Sequence, residues 1–155
     1  MLPAIPQSVA EFLKSRRIAV AGVSRTNGVG NAVLNKLRSA GYKVVPIHPH
    51  ATELEGATCY PEIAAVPGEL DAVVFASHPR FAAACVRQCA ERGVRRIWFH
   101  RSFGEGSVSE EAVRECRTRG IEPIVGGCPL MHCEPVDLAH RCMCWWLRHK
   151  GRFPA

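Results

Sequence analysis

The sequence contains no run approaching the roughly 18 consecutive apolar residues that span a membrane. Its N-terminus, MLPAIPQSVAEFLKSRR, carries two prolines and no apolar core of signal-peptide type. These absences set the expectation of a cytoplasmic protein with no membrane attachment. Aromatic residues make up only 7% of 155 residues, and no recognisable nucleic-acid-binding module is present. There is no Gly-rich loop ending in Gly-Lys-Ser/Thr, no Gly-x-Ser-x-Gly elbow and no Cys-x2-Cys pair. The common sequence signatures of a P-loop nucleotidase, a serine hydrolase and a zinc ribbon are therefore missing, and no metal centre is expected.

Cysteine, by contrast, is abundant, with eight residues. A chain this long can bury a core without staples, so reduced thiols are expected rather than a disulfide framework. The net charge of +6 is uneven. Residues 78–155 hold thirteen basic and eight acidic side chains, and the last 18 residues hold four basic side chains and no acid. Such a balance favours anionic partners without naming one.

One pattern recurs three times: a charged helical segment ends in glycine and an apolar run follows, as RSAGYKVVPI, AERGVRRIWF and TRGIEPIV. Gly41, Gly93 and Gly120 each sit where a helix takes a left-handed terminating residue. The spacing predicts strands at 17–22, 43–47, 71–76, 95–99 and 121–125. It predicts helices at 28–40, 79–92, 107–119 and 135–149, with a short element at 57–65 and a short N-terminal helix. Asn27 is expected to cap the helix whose Val29, Val33 and Leu37 share a face. Phe81, Cys85 and Cys89 form the next stripe, and Ser107 and Glu110 have capping-box spacing. Alternating strands and helices imply an α/β domain: a doubly wound, mostly parallel sheet, helices on both faces, plus a C-terminal helix. One domain is expected over 1–155, with a core at about 16–129 and an extension at about 134–150.

Ligands of open α/β sheets bind beyond the carboxyl ends of the strands. Those exits read Gly22-Val23-Ser24-Arg25, His48-Pro49-His50, Ser77-His78-Pro79, His100-Arg101-Ser102 and Gly126-Gly127-Cys128-Pro129. Four of the seven histidines and two arginines gather there without a carboxylate, which predicts a crevice for a polyanion. A dinucleotide fingerprint would need Gly-x-Gly-x-x-Gly and an acid about 20 residues on. Here Gly22 is followed by Val-Ser, and strand two ends in histidine. NAD is disfavoured, and a nucleotide with an extra ribose phosphate, NADP or coenzyme A, fits better.

The segments AGVSRTNGVGNAV, GYKVVPIHPH and LEGATCYPEIAAVPGELDAVVFASHP follow one another as do the motifs of the CoA-binding domain family, which the chain resembles from about Arg16 to Pro129. It is similar to the N-terminal domain of succinyl-CoA synthetase alpha subunits and of ADP-forming acyl-CoA synthetases. Gly56, Tyr60, Pro61, Ile63, Val66 and Pro67 reproduce one family segment. The family's Pro-Val-Asn-Pro is Pro46-Ile47-His48-Pro49 here, so His48 departs from it. The resemblance implies a Rossmann-like, nucleotide-binding fold that holds coenzyme A, in a stand-alone member with an added C-terminal helix. Implied contacts fall on Gly22, Val23, Ser24, Arg25, Gly30 and Asn31, on Pro49 and His50, on Ser77, His78 and Pro79, and on Phe99, His100 and Arg101. His48 is added for charge, and Cys128 for its strand-exit position.

The function expected on this basis is non-catalytic or regulatory binding of CoA or acyl-CoA, with no catalytic residue assigned. Two alternatives stay open: an NADP-dependent or thiol-redox enzyme using Cys128, and an interaction module using the basic C-terminal helix. In that helix Leu138, Cys142, Trp145 and His149 form a stripe suited to the sheet or to a second copy of the chain, so a homo-oligomer remains open.

Overall fold

The computed structural model describes residues 4–101 and 106–152; Ser102 therefore lies outside the described residues. The chain runs α1 (Gln7–Leu13), β1 (Arg17–Ala21), α2 (Val29–Ser39), β2 (Lys43–Ile47), β3 (Glu53–Leu54), β4 (Ala57–Thr58), β5 (Ala72–Phe75), α3 (Ala82–Glu91), β6 (Arg96–Phe99), α4 (Glu110–Thr118), β7 (Ile124–Val125) and α5 (Leu138–His149). Five strands form one parallel sheet in the order β2-β1-β5-β6-β7. The short element expected at 57–65 is a β3–β4 hairpin followed by a 3-10 turn at Ile63–Ala65.

Period-two alternation divides each strand between two cores. Ala19, Val73, Phe75, Ile97 and Phe99 face the layer of α3 and α4. Ile18, Val20, Val74 and Trp98 face the layer of α1, α2 and α5, where Phe12 meets the Trp98 ring edge-on at 5.3 Å. Both faces are covered, which explains why the strands read as continuous Val/Ile runs.

Helix ends follow the sequence closely at one terminus and less at the other. Gly41, Gly93 and Gly120 adopt φ of 95°, 72° and 68°. At each, two backbone bonds close the same terminating motif, as with Tyr42 N–H to Leu37 O and Gly41 N–H to Arg38 O. The N-termini require corrections. Gly28, not Asn27, precedes the first turn of α2. Ser109, not Ser107, caps α4, accepting from Ala112 N–H, because the helix begins two residues later than the capping-box spacing suggested.

The helix stripes shift too. Val33 and Leu37 are buried but Val29 is half exposed, as is Phe81 ahead of buried Cys85 and Cys89. In α5 the expected stripe points outward: Leu138 and Trp145 are 74% and 67% exposed, and Leu147 anchors the helix instead. Asp71 Oδ2 accepts from both Arg16 and Arg17 N–H at 2.8 and 2.9 Å, joining the starts of β1 and β5. Among the described residues no helix is long and apolar enough to cross a membrane.

Candidate functional site

In chain order the five sheet strands are arranged 2-1-3-4-5, so the direction of winding reverses between β1 and β5. Crevices in open α/β sheets form at such a switch point. Here the β1 and β5 exits are pressed together. A Cβ on Gly22, at φ 103°, would lie 2.4 Å from the Ala76 carbonyl oxygen, and one on Gly30 would lie 2.3 Å from the Gly22 oxygen. These two glycines are therefore demanded by strand-to-strand and helix-to-strand approach within the protein.

Asn31 holds the turn between them. Its Oδ1 accepts from Ser24 N–H at 2.9 Å, and its Nδ2 donates to Ser24 O and to Glu55 Oε1. The side chain is 4% exposed, and its polar atoms are committed to the loop. Glu55, which the sequence reading did not single out, also accepts from Asn35; these two amide bonds lower its pKa. The first turn of α2 follows a glycine, which supplies no side-chain cap, and carries no acid. An uncapped helix start of this kind favours an anion.

Two cavities flank the switch point. The first, about 440 Å³, is lined by Gly22, Val23, Ser24, His48, Pro49 and Ser77. All six were expected at the site. Its remaining walls include Pro61, Glu62, Ile63, Phe81, Cys85 and Gln88, with Gln88 Nε2 donating to Glu62 Oε2 at 2.7 Å. The cavity is thus an apolar slot with an amide–carboxylate edge, less cationic than the exits suggested. Arg25 and His50 follow directly on the lining residues Ser24 and Pro49. Arg25 Nη2 donates to His50 O at 2.6 Å, and His48 Nδ1 accepts from His50 N–H at 3.1 Å. Burial, then the charges of Arg25 and His50, lower the His48 pKa.

The second cavity, about 600 Å³, lies between α5 and the exits of β5 and β6. Val29, Ala76, Ala139 and Met143 supply apolar walls, and His100, Ser107 and His140 supply polar ones. Burial, then the nearby His140, lower the His100 pKa to about 4, so this ring is neutral at pH 7. His140 Nδ1 sits 2.6 Å from Asp137 Oδ2, whose other oxygen caps α5.

The other expected residues have different placements. His78 Nδ1 accepts from Arg80 N–H, and Pro79 opens the 3-10 turn that leads into α3. The Arg101 guanidinium packs over Gly126. Phe99 is fully buried in the α3/α4 core, and Cys128 is 3% exposed in the opposite core, its thiol pushed up to about 12 mainly by burial. Neither is among the residues that line these two cavities. Phe99 carried no signal separating it from a core strand residue, and Cys128 was read from chain position alone. Among the described residues, no group of three or more His, Cys, Asp or Glu side chains gathers as a metal site would require.

Comparison with known proteins supplies an independent reading. A family model described as a CoA binding domain matches residues 16–134. Over 106 residues the chain is 30% identical to an acetate–CoA ligase (ADP-forming) II subunit alpha from Pyrococcus furiosus, covering 67% of this chain and 23% of the ligase. The chain thus spans about a quarter of that relative's length. It is 25% identical over 116 residues to the uncharacterized protein YneT of Bacillus subtilis, covering 74% of this chain and 83% of YneT. A solved structure of a conserved hypothetical protein from Pyrococcus furiosus superposes with a TM-score of 0.62 at 32% identity, covering 72% of this chain and 93% of that one.

Proposed function

The chain belongs to the CoA-binding domain family, and from that premise we propose that it is a non-catalytic, regulatory or carrier protein holding coenzyme A or an acyl-CoA at the carboxyl edge of its sheet. One observation carries this reading: a helix start without a side-chain cap stands at a switch point between an apolar slot and the exposed Arg25 guanidinium with its two neighbouring imidazoles. These three features match the three parts of a 3′-phosphorylated adenine nucleotide.

The adenine fills the first cavity between Pro49, Pro61 and Ile63, with the Glu62 carboxylate able to accept from its exocyclic amine. The pyrophosphate sits on the N–H groups that open α2, where the helix dipole adds to hydrogen bonding. The 3′-phosphate meets Arg25, His48 and His50. Arg25 is the fixed charge of this group, because a guanidinium stays protonated, whereas burial and the charges of Arg25 and His50 lower the pKa of His48. The protein's contribution is then binding and orientation. The Cys128 enzyme alternative loses its physical support, because a buried thiol raised to about 12 supplies almost no thiolate at neutral pH.

The test is to purify the protein, denature it, and identify the released small molecule by mass spectrometry. Coenzyme A or a thioester of it is expected. Recovery of NADP in its place would reject the assignment.

A second reading, an interaction module built on α5, is favoured by the exposure of Leu138 and Trp145 beside Arg141, Arg148 and Lys150. Partner capture that disappears at high salt would support it.

A further inference from the structure

The second cavity is not accounted for by nucleotide binding. One of its walls is α5, which begins at Leu138 and so lies beyond residues 16–134 that the family model matches. Leu147 buries this helix against the sheet and Asp137 caps its start, so the wall is held at both ends. The cavity also touches the proposed nucleotide site. Val29 is the first residue of α2, and Ala76 immediately precedes the Ser77 that lines the first cavity. A nucleotide with its pyrophosphate on α2 therefore has this space within reach of its thiol arm. At about 600 Å³ the space lies within the ~300–1,000 Å³ range of small-molecule sites.

Its chemistry is selective. No lysine or arginine lines it among the described residues. His100 is buried and uncharged at neutral pH, and the His140 ring is engaged by the Asp137 carboxylate. In the proposed pose the positive end of α2 already faces the pyrophosphate. A group entering the cavity therefore meets methyl, methylene and thioether surface from Val29, Ala76, Ala139 and Met143. An uncharged aliphatic group is favoured there, and a second carboxylate would lose its hydration with no lysine or arginine among the described lining residues to replace it.

We propose that the cavity walled by α5 receives the acyl end of a CoA thioester, and that the ligand is an uncharged, short-chain acyl-CoA in preference to free CoA or to a thioester of a dicarboxylic acid. This rests on the CoA reading above and specifies its ligand. Each methylene buried in the cavity should tighten binding about fourfold, from ~0.8 kcal/mol per CH2.

Calorimetric titration of the full chain with CoA, acetyl-CoA, butyryl-CoA and succinyl-CoA tests this. Butyryl-CoA should bind at least tenfold more tightly than CoA, and succinyl-CoA no more tightly than CoA. Ala139→Trp places an indole in the cavity from an exposed helix position, so the fold should persist. It should abolish the butyryl preference while leaving CoA affinity within about threefold. Met143→Ala, which enlarges the space, should move the preference towards longer chains. Equal affinity for CoA and butyryl-CoA would overturn the inference and leave the CoA reading standing. A butyryl preference unaffected by Ala139→Trp would overturn the location of the subsite. Failure of all four ligands to bind would remove the CoA reading itself.

Discussion

Arg25 offers the sharpest test of how the nucleotide is recognised. It follows directly on the lining residue Ser24, and its exposed guanidinium spends one donor on the His50 carbonyl, which orients the remaining donors. A phosphate about 4 Å away would gain about 1 kcal/mol at the dielectric of water and about 4 kcal/mol at an effective dielectric of 20. For an exposed group the lower part of that range applies, about 1.5–2 kcal/mol, or roughly 10- to 30-fold in affinity. Arg25→Ala should therefore weaken coenzyme A by about that factor and dephospho-CoA by less than about threefold. Arg25→Lys should retain part of the difference, because it keeps the charge and loses the fork. The assay is calorimetry at low salt, repeated at about 0.5 M salt, where screening should shrink the gap. Equal losses for the two ligands would refute the placement of the 3′-phosphate.

Further consequences concern the scaffold. Gly22→Ala combines a positive φ with a Cβ 2.4 Å from a backbone oxygen, and should cost about 3 kcal/mol or more, lowering Tm by at least ~6 °C; an unchanged melting curve would contradict the close approach. His100 and His132 have pKa values lowered to about 4, mainly by burial, so between pH 6.5 and 4 the unfolded chain binds more protons. Stability should therefore fall as pH drops through that window, and less steeply in the double variant H100N/H132N, as read by denaturant titration. Iodoacetamide applied to the native protein should label Cys142 and, more slowly, Cys144, but not the buried Cys59, Cys85, Cys89, Cys116, Cys128 and Cys133. Rapid labelling of Cys128 would restore it as a reactive thiol.

Much of the architecture was legible because it is local. Each terminating glycine follows a charged helical segment and precedes a Val/Ile run, and this order alone locates α2, α3 and α4 with the strands that follow them. Helix starts were harder to read. Asn27 and Ser107 are sound capping residues by type, yet loop packing begins the helices after Gly28 and Ser109. The lining of the first cavity was legible where it lies on strand exits, as with Ser24, His48 and Ser77. It was illegible where tertiary packing decides the outcome. Phe81 turns from the core stripe into the slot, Glu55 reaches α2 from the hairpin, and α5 brings Met143 and His140 over the β6 exit. Gly22 and Gly30, expected as ligand contacts, also serve the approach of one chain segment to another, which only tertiary structure reveals.

The most direct measurement is an equilibrium titration of the purified full chain with coenzyme A, dephospho-CoA and NADP under one set of conditions. The account predicts saturable one-to-one binding of coenzyme A, at least tenfold weaker binding of dephospho-CoA, and weaker binding of NADP than of coenzyme A. A chain that ignores coenzyme A, or binds NADP more tightly, would contradict it.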